Sequence, residues 1–176
     1  VNHTQIPFSL RDIPTLEEID RQAHRLGVDL PAIPIRALLR LLRVGNDVEA
    51  SLARHLHRAG LSMARFEMLS LLMRADQHRL TPSDLAKRGG ITRATVTGLV
   101  DGLEAKGWVQ RSAHPSDRRS FIVELTGKGI DFVSALLPGH VHHILALVAG
   151  VAESDLLQLL QTLDRIEANL DDSANE

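Results

Sequence analysis

The chain has 176 residues, 44% of them hydrophobic and 24% charged, ordinary values for a globular protein with one sizeable core or two small ones. Aromatic residues make up only 3%, so the core must be built from Leu, Val, Ile and Ala, which favours helices. Cysteine is absent, which excludes disulfides, thiolate zinc sites and sensing by thiol oxidation.

The net charge of −2 looks wrong for a nucleic-acid binder, but its distribution is uneven. Between Thr81 and Lys128 eight Lys/Arg face five Asp/Glu, whereas the remainder carries twelve against seventeen. A local positive patch is what attracts phosphates; the global sum is not. With no apolar run near the roughly 18 residues of a bilayer span and no charged-then-apolar leader, the expectation is a cytoplasmic protein without a membrane partner.

Residues 1–34 form an N-terminal extension with four prolines and one short helix, Pro14 to Leu26. Thr15 or Pro14 starts that helix, and Leu16, Ile19, Ala23 and Leu26 form its apolar stripe. Gly27 ends it. From Ile35 to about His57, Leu38, Leu41, Leu42, Val48, Leu52 and Leu56 recur at helical spacing and predict a long amphipathic helix closed by Gly60. Ser62 caps the next helix, which runs to about Arg74 with Phe66, Leu69 and Leu72 inward.

Thr81-Pro82-Ser83-Asp84 is a helix start: a capping hydroxyl, a proline at the first helical position and an acid three residues on. The helix is short, Pro82 to Arg88. Gly89-Gly90 supplies the turn, and Thr92 caps a helix running to about Lys106 with Val96, Leu99, Val100 and Leu103 buried. Gly107-Trp108-Val109 then enters a strand to about Ser112, and the turn residues His114 to Asp117 lead to a return strand, Ser120 to Leu125. Thr126 caps a helix to about Leu137. Pro138-Gly139 interrupts the pattern, which resumes at Val141, Ile144, Leu145 and Val148; one kinked helix and two helices both fit. Leu156, Leu159, Leu163, Ile166 and Leu170 form a narrow seam suited to lengthwise helix packing inside a dimer.

Two helices joined by a tight glycine turn, followed by a hairpin with Arg118 and Arg119 near its tip, have the layout of a DNA-reading helix with a β-wing. A helix that enters the major groove needs short side chains. Thr92, Thr95 and Thr97 suit phosphates or thymine methyl groups, and Arg93 suits a guanine edge or a phosphate. Ser83 at the preceding helix start is a further candidate. Arg118 and Arg119 suit the adjacent minor groove, and Asp117 holds an arginine by an ion pair.

The stretches LSMARFEMLSLL, TRATVTGLVDGLEAKGWV and DRRSFIVELTGKG resemble the MarR family of winged-helix transcriptional regulators over about residues 35–170. The most specific part is Asp117-Arg118-Arg119 followed by Leu125-Thr126 and Gly129. The resemblance implies a mainly α fold with a small β-wing (α+β): a winged helix-turn-helix lobe, residues 61–125, with long N- and C-terminal dimerisation helices, 35–60 and 126–170. It further implies a homodimeric repressor on a pseudo-palindromic double-stranded DNA operator, released when a small-molecule effector binds between the dimer interface and the reading lobe. His55, Phe66 and Glu67 are the candidate ligand residues, on the first two core helices. No cofactor is expected.

The extension and the Pro34–Val48 segment resemble the urate-responsive branch in layout. That branch carries a tryptophan in its extra helix, whereas the sole tryptophan here is Trp108. Glu67 stands where it has aspartate and Leu99 where it has arginine; Arg118 matches. The effector is therefore left open. Nine histidines, with His140, His142 and His143 clustered and His55 and His57 on the first long helix, raise a zinc-responsive regulator as an alternative. A winged-helix protein-interaction module without DNA binding is another. No Gly-rich phosphate loop, HExxH, Gly-x-Ser-x-Gly or cysteine nucleophile is present, so no enzyme is expected.

Overall fold

The computed structural model describes residues 12–114 and 121–173, in two compact units, Val1–His140 and Val141–Glu176. The first unit opens with α1 (Leu16–Leu26), whose ends are chemically fixed. The Glu18 amide donates to Thr15 Oγ1 at 3.2 Å while the Thr15 amide donates to the Glu18 carboxylate at 2.7 Å, a reciprocal capping box. The bond from the Thr15 amide first, and then the one the Thr15 hydroxyl donates to the same carboxylate at 3.0 Å, hold the Glu18 carboxyl below the usual carboxylate range. Gly27 closes the helix at φ 64°, a left-handed conformation suited to glycine. Of the expected stripe only Ile19 is buried; Leu16 and Leu26 stay exposed.

The long helix α2 (Ala32–Arg58) begins three residues before the expected Ile35. Pro34 falls in its first turn, where the backbone N–H has no helical partner anyway, so the proline is accommodated rather than excluded. Arg36 of α2 donates to the Pro14 carbonyl and ties the extension down. Helix α3 (Met63–Met73) follows under the Ser62 cap.

Past α3 the chain makes a 3-10 turn, Asp76–His78, and a two-residue strand β1 (Arg79–Leu80), neither of which was expected. Helix α4 (Pro82–Gly89) and helix α5 (Arg93–Glu104) come next, joined through Gly90 at φ 61°. Strands β2 (Val109–Ala113) and β3 (Phe121–Leu125) pair antiparallel, Val109 opposite Leu125 and Ala113 opposite Phe121. Strand β1 adds to the far side of β3, giving the order β1-β3-β2. Alternation along β3 puts Val123 and Leu125 into the core.

That core joins Leu56 of α2, Leu61, Met68, Leu69 and Leu72 around α3, Leu85 of α4, Val96, Val100 and Leu103 of α5, and Val109 and Val123 of the sheet. Helix α6 (Gly127–Leu147) closes it with Val133 and runs unbroken through Pro138, which settles the one-or-two question in favour of one helix. Thr126 does double duty at its start. Its hydroxyl accepts from the Gly129 amide at 3.0 Å and donates to the Gly107 carbonyl at 2.7 Å.

No contiguous apolar run reaches the length of a span, yet one helix has the length and average hydropathy of one. Helix α6 has 21 residues and an 18-residue window of mean hydropathy 1.3. Its histidines and Pro138 break any contiguous apolar run, but its leucines and valines raise the average. Length and composition alone are weak evidence for a span; Gly129, Val133 and His140 are the buried residues of α6.

The second unit contains α7 (Glu153–Ser173). Leu156, Leu163 and Ile166 of its seam are half-buried, whereas Leu159 and Leu170 are exposed along with Leu157 and Leu160.

Candidate nucleic-acid interface

The reading helix is positioned from beneath. Val96, Val100 and Leu103 are spaced four and three apart, so they form one stripe that plugs α5 into the core. That burial turns the opposite side outward, and Thr92, Arg93, Ala94, Thr95, Thr97 and Gly98 are all exposed. Ala94 and Gly98 lie four residues apart on one ridge with almost nothing projecting from it, and a Cβ added at Gly98 would meet open space. Backbone can therefore approach a groove closely along this ridge.

The threonines are engaged locally before any ligand arrives. Thr92 Oγ1 accepts from the Thr95 amide at 3.1 Å and lies 2.9 Å from the Thr95 hydroxyl. Thr97 donates its hydroxyl proton to the Arg93 carbonyl at 3.0 Å. Thr92 is thus a cap first, and what Thr97 has left for a base is its lone pairs and its methyl group. Ser83 sits exposed in the first turn of α4, behind Thr81, whose hydroxyl accepts from the Asp84 amide at 3.1 Å. Arg118, Arg119 and Asp117 lie outside the described residues.

A residue not singled out from the sequence locks the wing base to the reading helix. Arg111 on β2 pairs with Asp101 and, at 3.1 Å, with Glu104, both on α5, and its guanidinium lies 5.1 Å from the Phe121 ring centre. The sequence signal was the strand alternation that puts Arg111 on the opposite face from Gln110 and Ser112. Nothing along the chain showed that this face meets α5. At the other end of the strand Trp108 is buried, stacked on Phe132 at 3.9 Å between ring centres.

A cleft of about 580 Å³ opens between α3, the end of α4 and α6. Phe66 and Glu67 line it, with Leu71, Met73, Val133 and Leu137 as further apolar wall and Arg74 and Arg88 as cations. His55, on α2, does not line this cleft. Its ring lies 5.6 Å from that of buried His140, which in turn lies 4.4 Å from Phe66, so His55 sits with the rings behind the wall. Arg74 and Arg88 were missed because only the fold brings the end of α3 to the end of α4. Among the described residues no three His, Cys, Asp or Glu side chains converge as a metal would require, so the zinc alternative gains no geometric support.

Two helices at a glycine turn, an outward ridge of small residues and a clamped β-hairpin define a winged helix-turn-helix DNA-binding protein. Comparison with known proteins gives the same class. The model of the MarR family matches residues 61–121. The HTH-type transcriptional repressor YetL of Bacillus subtilis (strain 168) is 33% identical over 148 residues, 84% of this chain and 88% of that protein. The solved structure of Sco3205, a MarR family transcriptional regulator from Streptomyces coelicolor in complex with DNA, is 30% identical with a TM-score of 0.73, covering 80% of this chain and 88% of its own. BpsR of Bordetella bronchiseptica, whose DNA binding is regulated by 6-hydroxynicotinic acid, is 26% identical with a TM-score of 0.63, covering 73% and 91%. The chain belongs to the MarR family. It is a DNA-binding transcriptional regulator and not an enzyme.

Proposed function

We propose that the chain acts in the cytoplasm as a homodimeric repressor on a pseudo-palindromic operator, released by a small-molecule effector. The observation that carries the reading is the exposed ridge of α5, where Arg93, Thr95 and Thr97 flank Ala94 and Gly98 above a fully buried stripe. Ser83 adds a phosphate contact beside it, and Arg118 and Arg119 reach the neighbouring minor groove.

Dimerisation through residues 35–60 and 126–170 is supported by what one chain leaves uncovered. Leu38, Val44 and Val48 of α2 are exposed, and so, on α7, are Leu157, Leu159, Leu160 and Leu170 at 50–65%. A monomer that wets so many large apolar side chains has an interface to fill. Two copies then set their reading helices about 34 Å apart, one turn of duplex. The cleft is the effector site, with Phe66 and Glu67 in its wall; its apolar side suits the body of a small organic molecule, and Arg74 and Arg88 suit an anionic group.

Selection of bound fragments from genomic DNA, followed by sedimentation of the complex, tests the reading. The expected result is a two-fold-related sequence bound by two chains, with Arg93→Ala binding weakened. A monomer that selects no common sequence refutes it. Dialysis against a chelator and readdition of zinc should leave the affinity unchanged, and a zinc-dependent change would move the reading to the metalloregulator.

A further inference from the structure

One cation beside the reading helix has no partner among the described residues. Arg65 belongs to the first turn of α3, yet its guanidinium lies against α5, at Gly102. A Cβ built on Gly102 would stand 3.0 Å from both Arg65 Nε and Cζ and 2.5 Å from Nη2. The glycine is therefore the seat of the guanidinium. Arg65 Nε is buried and unbonded, and Arg65 makes no ion pair or side-chain hydrogen bond among the described residues. Arg65 as a whole is half-buried, and Nε is the guanidinium nitrogen that is both fully buried and unbonded.

Its position relative to the groove-facing ridge follows from helix geometry. Arg111 holds Asp101 and Glu104 on one flank of α5. Gly102 lies about 200° around the axis from Glu104, on the other flank, with Ala94 and Gly98 between. Two arginines thus bracket the ridge. One is neutralised by two carboxylates; the other is not. A guanidinium seated in a notch beside the ridge, unpaired among the described residues, is suited to accept an anion, and a duplex lying on the ridge brings phosphates to both flanks.

We propose that Arg65 donates to a DNA phosphate on the Gly102 flank of the reading helix, a contact supplied from α3. The contact rests on the DNA-binding reading above. It fixes how the duplex lies across α5 and carries no base preference, because phosphates are the same at every step.

Anisotropy titration of a labelled mixed-sequence duplex, between about 50 and 200 mM salt, tests it. Arg65→Gln should weaken binding roughly tenfold at the low-salt end, the loss of a charge-assisted bond. The slope of log affinity against log salt should become shallower by about 0.9 for each protomer engaged. Arg65→Lys should keep the wild-type slope, and both variants should melt with the wild type. Gly102→Ala evicts the guanidinium without removing it and should reproduce part of the Gln effect, adding little in the double variant. A wild-type slope in Arg65→Gln, whether or not affinity falls, overturns the contact while leaving DNA binding intact. Absence of duplex binding by the wild-type protein overturns both.

Discussion

Gly129 in the first turn of α6 is the glycine with the closest backbone neighbour. A Cβ built there clashes with the carbonyl oxygen of Trp108 and lies 2.9 Å from its carbonyl carbon. Carbon atoms settle about 3.5–4.0 Å apart, so alanine would force the two backbones to part by roughly 1 Å. The obstacle is main chain and cannot swing aside. Around it the Thr126 amide donates to the Trp108 carbonyl at 3.1 Å, the Thr126 hydroxyl donates to the Gly107 carbonyl, and Trp108 stacks on Phe132. Parting the strands stretches all three. Overpacking costs about 1–3 kcal/mol, and a main-chain obstacle puts Gly129→Ala at the upper end or beyond. At ~2–4 °C per kcal/mol for a chain of this size, the melting temperature should fall by about 6–12 °C. Gly127→Ala is the control, two residues earlier and with nothing near its added methyl group. Thermal unfolding followed by circular dichroism compares the two. Equal melting temperatures for both variants would refute the reasoning.

Other outcomes follow from local chemistry. Arg111→Gln leaves Asp101 and Glu104 uncompensated on the reading helix; DNA affinity in a salt titration should fall, adding Asp101→Asn should recover it, and stability should change by less than about 1 kcal/mol because the pairs are largely exposed. Gln77, held at φ 54° in the 3-10 turn, should prefer glycine: Gln77→Gly should raise stability by about 1 kcal/mol in chemical denaturation, and a loss would show that the Gln side chain matters more than the strain. Glu18 is held below its ordinary range by Thr15, so its contribution to α1 is present above the unfolded value and lost as pH falls through the folded one. Amide protection in α1, measured relative to the intrinsic exchange rate at each pH, should therefore fall in acid in the wild type but not in Glu18→Gln.

Much of the fold is legible because its boundaries are local chemistry. Thr15, Ser62, Thr81 and Thr92 cap helices through their own side chains, and Gly27, Gly60 and Gly90 take left-handed conformations that other residues resist. The stripe of α5 and the alternation of β3 are likewise periodic signals. What escaped notice depends on distant partners. Strand β1 has two residues and exists only because β3 offers Val123 and Glu124 as pairs. Pro138 lies inside α6 even though an interior proline forfeits a helical hydrogen bond, so the sequence alone could not choose between one helix and two. The reading ridge was found because its residues are consecutive on one helix. The cations around it and the cleft, Arg65, Arg74, Arg88 and Arg111, come from three different elements, α3, α4 and β2, which only the fold brings together.

The only tryptophan, in a chain with no tyrosine, leaves a single indole to emit under long-wavelength excitation. That chromophore is Trp108, sandwiched between Phe132 and the Lys106 ammonium 4.8 Å from its ring centre. Its colour and lifetime report on one place, the elbow where the reading helix becomes the hairpin. Any shift in its spectrum on adding duplex or a candidate inducer is a site-resolved signal obtained without a label.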